Sequence, residues 1–529
     1  MPFDFGPWLP DQPSLNNPGV QVLLNGFPAA RGFSAVPDAT ATTSPQQVVG
    51  NPAAETPIPE IVGVYSTLEV AASSIDVRTY IGTSTRLLKY DTLQNKFSQF
   101  TTSDPTYTSI PRWQFVEFAT TGGTRHIYAA GGTSVALQRF NSDGTTAPAA
   151  VSGAPNPTHL CVVGRFVVCA NTANSQAEVR WSAIDDGGSW SIGTNQSDSQ
   201  IIGAATEITG LAGGETGTIL TREGVHRMSY VGAPLVFTFD KVSNQGCDFP
   251  GSVASRSADE VYFLSEDGFQ RYAGGTVQNI GAQRVNDFFF RDFNRERASE
   301  ISCVIDPVRS LVVWSYASQS SASENDSLIV YDYVLDRWGL ARIAHTTIGT
   351  LRLPGRSLES LDELLEPADI RTRAGATILD RSGATIFLRA AEGIDSLTVS
   401  FDSAAYQGGA SILALSQTTD DGTVLSTLSG NALDLTIQTG EQEAIENRYT
   451  LVRGVYPHID GAGPVVSCAV SGRTRQVDSQ IFGPFSTLND SNKVPLRKSG
   501  RYFALKFTAS GNWTQAHGFS YDATPQGRR

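Results

Sequence analysis

The chain offers little that points to metal, redox or covalent chemistry. Its five cysteines, at 161, 169, 247, 303 and 468, are odd in number and form no CxxC pair, so spacing gives neither a disulfide framework nor a zinc site. Buried small apolar side chains in a reducing compartment are the expectation. The six histidines, at 126, 159, 226, 345, 458 and 517, are scattered without HExxH or any paired spacing, which removes the zinc-hydrolase reading. GxSxG and Walker motifs are missing too, so neither a serine esterase nor an ATP-driven motor is supported. Long apolar runs are also lacking. The strongest, LCVVGRFVVCA, is short and broken by Arg165, and the opening MPFDFGPWLP has no basic or apolar signal region. No cleaved signal and no membrane-spanning segment is expected.

Positive charge is scarce as well: 39 Lys and Arg stand against 52 Asp and Glu, a formal net charge of −13. Tight grip on phosphates comes from Lys and Arg displacing counterions, so strong DNA binding is disfavoured. An acidic wall would instead let a duplex slide past without sticking. What is abundant is turn chemistry, with 50 Gly and 26 Pro among 40% hydrophobic residues, the profile of a strand-rich globular chain. At 529 residues, two or three domains are expected, or one large architecture such as a propeller.

One pattern recurs six times: an apolar strand, a polar turn, a second strand, then an aromatic near a further turn. Its copies include TYIGTSTRLLKYDTLQNKFSQF, RFVVCANTANSQAEVRWSAIDDGGSW and SLVVWSYASQSSASENDSLIVYDYVLDRW. Their opening strands fall near residues 80, 127, 166, 218, 260 and 310, roughly 46 residues apart, which suits four short strands and their turns. A lone four-stranded sheet cannot bury both faces, whereas sheets stacked around an axis bury them against each other. The fold class expected is therefore mainly β: a propeller of about six blades over 56–352. LLKYDTLQNKFSQF (87–100) and LIVYDYVLDRWGLA (328–341) match most closely, each with a turn that returns Phe97 or Trp338 onto its sheet, as in kelch-like blades.

The texture changes on either side of the repeats. GRSLESLDELLEP places Leu358, Leu361, Leu364 and Leu365 at helical spacing between Ser357 as N-cap and Pro367 as stop, giving a short helical linker over 353–373. From 374 to 529, period-2 stretches such as YTLVRGVYPHID and RYFALKFTA predict a β-sandwich-like platform domain. Residues 1–55, rich in Pro, Gly and Asn, are expected to form an extended arm that docks on the platform or a neighbouring subunit.

Several phrases invite a chemical reading, and for each a structural one weighs more. AIDDGGSW (183–190) resembles the sialidase Asp box, with Ala183 where Ser belongs; Asp185, Asp186 and Trp190 are expected to fix a hairpin. Glycosidases need two carboxylates facing each other across a cleft. Glu266 and Asp267 are adjacent, so on a strand they would point to opposite faces, and Gly268 marks a turn. NDFFFRDFNRERASE (286–300) joins four phenylalanines to Arg291, Arg295 and Arg297, a nucleic-acid pattern, but Asp287, Asp292, Glu296 and Glu300 nearly cancel the charge. No catalytic, cofactor-binding or metal-ligating residue is assigned, and the chain is not expected to be an enzyme.

Several stretches taken in order resemble the tail nozzle and tail hub proteins of short-tailed bacteriophages, the tail tubular protein B and packaged-DNA stabilisation type. They are GPWLPDQPSLNNPGVQVLLNGFPAARGFSAVP at 6–37, ITGLAGGETGTILTREGVHRMSYVGAPLVFTFDKVSNQGC at 208–247, VYFLSEDGFQRYAGG at 261–275, then LIVYDYVLDRW, SLESLDELL and VPLRKSGRYFALKF. Collinearity carries the likeness, since no single phrase is specific. The resemblance implies a homo-oligomeric, hexameric ring in the virion tail, assembled in the host cytoplasm. Such a ring attaches below the portal and head-to-tail adaptor, contacts tail fibres or a needle, and continues the channel through which double-stranded DNA passes. It implies arm and sandwich forming a platform with the propeller on its flank, and it brings no catalytic residues. The alternative is a glycan-binding or glycan-cleaving propeller acting as a receptor-binding tail protein.

Overall fold

The computed structural model describes residues 2–50, 54–70, 75–91, 96–352, 368–369, 387–388 and 411–527. The chain is mainly β and its sheets are built almost wholly from antiparallel pairs. Five sheets follow one another as four-stranded meanders. Sheet 1 runs Ile61–Val70, Ile75–Thr83, Leu87–Asp91, Lys96–Ser98; sheet 2 starts at Gln114–Ala119, sheet 3 at Pro157–Val163, sheet 4 at Ile208–Ala212 and sheet 5 at Ala254–Ser257. Sheet 6 opens as a sixth such meander, from Ser302–Asp306 to Arg337–His345.

A seventh four-stranded sheet has no contiguous counterpart in the sequence. Thr347–Arg352 pairs with Ser411–Thr419, which pairs with Gly422–Ala432, and the outer strand, Pro37–Ala41, comes from the other end of the chain. Residues 411–432, expected in the sandwich, thus belong to this sheet. The helix expected at 355–367 lies outside the described residues.

Each sheet packs face to face on the next. Tyr80 of sheet 1 shares a core with Ile127 and Phe140 of sheet 2; Tyr128 of sheet 2 meets Val167 of sheet 3; Trp181 of sheet 3 meets Met228 and Phe237 of sheet 4. Leu220 of sheet 4 packs with Phe263 of sheet 5, Phe269 of sheet 5 with Trp314 and Trp338 of sheet 6, and Val313 of sheet 6 with Leu415 of sheet 7. Leu425 of sheet 7 then packs with Ile61, Ile81 and Leu88 of sheet 1, so the succession returns to its start.

The repeat identified in the sequence is displaced by one strand. Its opening strands are the second strands of the sheets, because those are buried on both faces: every residue of Phe166–Thr172 and of Leu311–Tyr316 is buried. First strands carry the signal unevenly: Ala254–Ser257 is short, polar and largely exposed, whereas Pro157–Val163 is mostly buried. Phe97 and Trp338 do return onto their sheets, opposite Tyr90 and Tyr331 respectively, and both are buried.

Beyond its fourth strand, sheet 6 continues without a break: Gly26–Pro28, Phe33–Ala35, Trp513–Gly527, Tyr449–Gly461 and Val494–Gly500 follow in order. A second sheet, running Val20–Leu24, Leu435–Thr439, Tyr502–Ser510, Val465–Arg473, Ser486–Thr487, shares one core with this extension, where the Phe507 and Phe519 rings meet at 5.4 Å. These two sheets, called the platform below, share one core.

The N-terminal segment is woven in rather than laid on. Phe5, Trp8, Val20, Leu23, Phe27, Phe33 and Val36 are buried, and Gln46–Val49 and Ala54–Pro57 extend the outer edge of sheet 1. It reads as an arm in the sequence because its strands are only three to five residues long between Pro, Gly and Asn.

Candidate functional site

The Asp-box-like phrase sits between the third and fourth strands of sheet 3. Asp185 takes a left-handed backbone (φ 57°) and pairs with Arg165. The Asp186 carboxylate accepts from the Gly188 N–H at 2.9 Å, and the buried Trp190 indole N–H donates to the Gly187 carbonyl at 2.8 Å. A side chain at Gly187 would collide with the Tyr128 hydroxyl and Val167, so the turn docks this sheet onto sheet 2. Its residues are consumed in holding a hairpin.

Glu266 and Asp267 form the tip of the second hairpin of sheet 5, where Ser265 faces Gly268. Glu266 pairs with Arg295 at 2.9 Å, and Asp267 accepts from the Gln245 amide at 2.8 Å. They edge a polar cleft of about 580 Å³ with Asp11, Asn279, Asn286 and Asp287. Among the described residues no cluster of three His, Cys, Asp or Glu side chains is arranged to hold a metal.

Residues 286–300 fold as the helix Asn286–Asp292 and the 3-10 turn Arg295–Glu300. Phe289 and Phe293 are fully buried, and Phe288 meets Trp8 edge-on at 4.9 Å. Asp11, from the far N-terminal segment, caps the helix by accepting the N–H groups of Asp287 and Phe288 at 2.9 and 2.8 Å. The phenylalanines are thus core, not stacking platforms.

One nucleophile-and-base pair escaped the sequence reading because its members lie thirty residues apart. Ser315 Oγ and His345 Nε2 are 2.6 Å apart, while His345 Nδ1–H donates to the Ile343 carbonyl at 2.7 Å and the Asn325 amide donates to Ser315 Oγ at 3.0 Å. With the ring proton on Nδ1, Nε2 is the acceptor and the Ser315 hydroxyl donates to it. Both residues are fully buried, and burial holds the imidazole neutral down to about 4. A closed network without access binds no substrate; it pins the strands of sheet 6 together.

A chamber of about 680 Å³ is bordered by the first strands of sheets 1 to 5, among them Tyr65, Phe115, Glu117, Leu160, Gly213 and Ser255. Tyr65 and Phe115 stack at 5.8 Å, and the Glu117 carboxylate accepts from Thr67 Oγ1 at 2.5 Å and pairs with Arg125. Burial, followed by the Glu117 charge, raises the Tyr65 hydroxyl above its ordinary range, so it stays a phenol. These residues come from three separate strands, a grouping no local motif announces.

Cys161, Cys169, Cys247 and Cys468 are buried, and Cys303 is half-buried rather than buried. Among the described residues no helix is long and apolar enough to cross a membrane.

No family model matches this chain, and no curated protein matches it. Among solved structures it is similar to an exported protein of Bacteroides fragilis, at 11% identity and a TM-score of 0.25 over 44% of this chain and 76% of that one. It is also similar to an exo-β-1,3-galactanase of Phanerochaete chrysosporium, at 12% identity and a TM-score of 0.17 over 92% of this chain and all of that one. Scores this low leave function to be read from the chain itself.

Proposed function

We propose that the seven sheets are the blades of a propeller and that the chain is a structural subunit of a short-tailed phage tail, a nozzle or hub. The observation that carries this reading is the weave of the platform: both ends of the chain build it, and the succession of sheets is inserted between them. The resemblance implies an arrangement of this kind, arm and sandwich forming a platform with the propeller on its flank. The acidic net charge agrees with a channel wall past which DNA slides. In this reading six copies join below the portal and adaptor, and fibres or a needle attach to the assembled tail.

Light scattering of the full chain, alone and with the adaptor complex, tests it. A ring of about six, or a monomer that assembles only on the adaptor, is expected. A persistent monomer indifferent to the adaptor would overturn it.

A glycan-binding role is the second reading, favoured by the chamber, where two aromatic rings lie beside a held carboxylate in a cavity of sugar size. Under that reading Phe115→Ala abolishes binding to host glycans while leaving the fold intact; glycan arrays separate the two.

A further inference from the structure

Two strands diverge where the platform joins sheet 6. Val20–Leu24 is the last strand of the second platform sheet and pairs with Leu435–Thr439 on one side only. On its other side the Val20 N–H and carbonyl are taken by the Pro7 carbonyl and the Leu9 N–H, both at 2.8 Å. Among the described residues no strand covers the edge that continues along Gln21–Leu24. After Asn25 the chain enters Gly26–Pro28, which meets the fourth strand of sheet 6 at a single pair, Gly26 with Leu340. Beyond that pair the Arg342 N–H donates to a side chain, the Asn25 amide oxygen at 2.9 Å, rather than to a strand. The result is a fork between two strand edges.

The fork opens as a groove of about 610 Å³. Trp8, Phe288 and Leu340 give it an apolar lining, and Val22, 41% exposed, stands at its edge. Two buried donors of lining residues have no acceptor among the described residues: the Nε1–H of Trp8, a side chain only 1% exposed, and the Nε2–H of Gln480. Nearly every buried N–H in a folded chain is paired, so two orphans around one groove mark where acceptors are missing. The charge left on the lining has one sign. Of its charged residues, Asp292 is taken by Arg342 at 2.7 Å, while the Arg291 side chain stands 72% exposed with the Asp11 carboxylate no nearer than 3.9 Å.

An open strand edge calls for alternating donors and acceptors, the orphan N–H groups for carbonyl oxygens, and Arg291 for an acid. An extended peptide supplies all three. A second copy of this chain has no such segment ready among its described residues, because Pro2–Asp4 and Trp513–Gly527 are both already paired as strands.

We propose that the groove takes an extended segment of a partner protein, in which apolar and acidic residues alternate, added as a strand along Gln21–Leu24. Its carbonyls accept from Trp8 and Gln480, its apolar side chains lie on Trp8 and Phe288, and an acidic side chain stands beside Arg291. The site does not rest on the tail reading, because it needs only the fork and its lining.

Fluorescence polarisation of the full chain with short labelled peptides that alternate Val with Asp, Thr or Lys tests it. Saturable binding is expected for the Asp peptide, weaker binding for the Thr peptide and none for the Lys peptide. Methylating alternate amide nitrogens of the Asp peptide keeps its side chains but removes the strand donors, and is expected to abolish binding. Trp8→Phe keeps an aromatic ring without the indole N–H and is expected to weaken binding roughly tenfold; Arg291→Gln is expected to erase the preference for Asp over Thr. Hydrogen exchange of the wild type needs no variant to fold: the Asp peptide should slow exchange at Gln21–Leu24 and leave the outer strand of sheet 3, Asp198–Ile201, unchanged. Absence of saturable binding, equal binding of the methylated or Lys peptide, undiminished binding by Trp8→Phe, or protection elsewhere than Gln21–Leu24 would overturn the proposal. So would protection of Gln21–Leu24 that grows with protein concentration alone, which would assign the groove to a second copy.

Discussion

The succession of seven sheets and the platform are built on opposite principles. Sheets 1 to 5 take their core strands from contiguous stretches of chain, each hairpin following the last. The platform pairs Val20–Leu24 with Leu435–Thr439 and Phe33–Ala35 with Trp513–Gly527, residues from opposite ends. Local pairing gives up little chain entropy and leaves a periodic trace in the sequence; distant pairing costs more and leaves none. Yet sheet 6 runs unbroken from one region into the other, and a single core holds Trp314 and Trp338 together with Phe507 and Phe519.

The comparison breaks most completely if the N-terminal segment is dispensable. Deleting residues 2–41 removes Trp8, Leu23, Phe27 and Phe33 from the core together with the outer strand of sheet 7. Loss of the folded state is expected, visible in circular dichroism and size exclusion. A folded truncation would show that the segment is an accessory arm after all.

Trp513→Ala in the platform and Trp190→Ala between sheets 2 and 3 each delete a fully buried indole and are expected to cost about 3–5 kcal/mol. Because one sheet joins the regions, both variants should lower a single calorimetric transition. Two separate transitions would mean that the succession of sheets and the platform fold independently.

Acid separates the regions more gently. His159 and His345 stay neutral in the folded chain down to about 4, whereas an unfolded chain protonates them below about 6.5. Stability is therefore full above that upper value and falls as the pH drops toward the lower one, by up to about 1.4 kcal/mol per pH unit for each histidine. Denaturant midpoints across this window should lose part of their slope in His345→Gln. An unchanged slope would place the proton uptake elsewhere.

The smaller effects are local. Gly187→Ala drives a methyl against Tyr128 and Val167 and is expected to cost about 1–3 kcal/mol. Asp11→Asn weakens the cap on Asn286–Asp292 by about 1 kcal/mol. Urea titration measures both.

What could be read in advance follows the same divide. Six of the seven sheets announce themselves because strands such as Phe166–Thr172 are apolar on both faces. Sheet 7 does not, since its strands come from 37–41, 347–352 and 411–432. The Asp-box-like turn and the phenylalanine helix behave as structural elements, as their composition suggests. The Tyr65, Thr67 and Glu117 group drew no notice because only the stacking of separate sheets brings its members together.

The weave also sets an order of events during synthesis. Val20–Leu24 leaves the ribosome early, but its partner Leu435–Thr439 follows more than four hundred residues later. At ordinary elongation rates this strand waits roughly 20–80 seconds with an open edge. The successive sheets can take shape while the ribosome is still translating; the platform is completed only as Trp513–Gly527 emerges. Until then the nascent chain exposes Trp8, Phe27 and Phe33, and stretches of this kind are what chaperones shield and aggregation exploits.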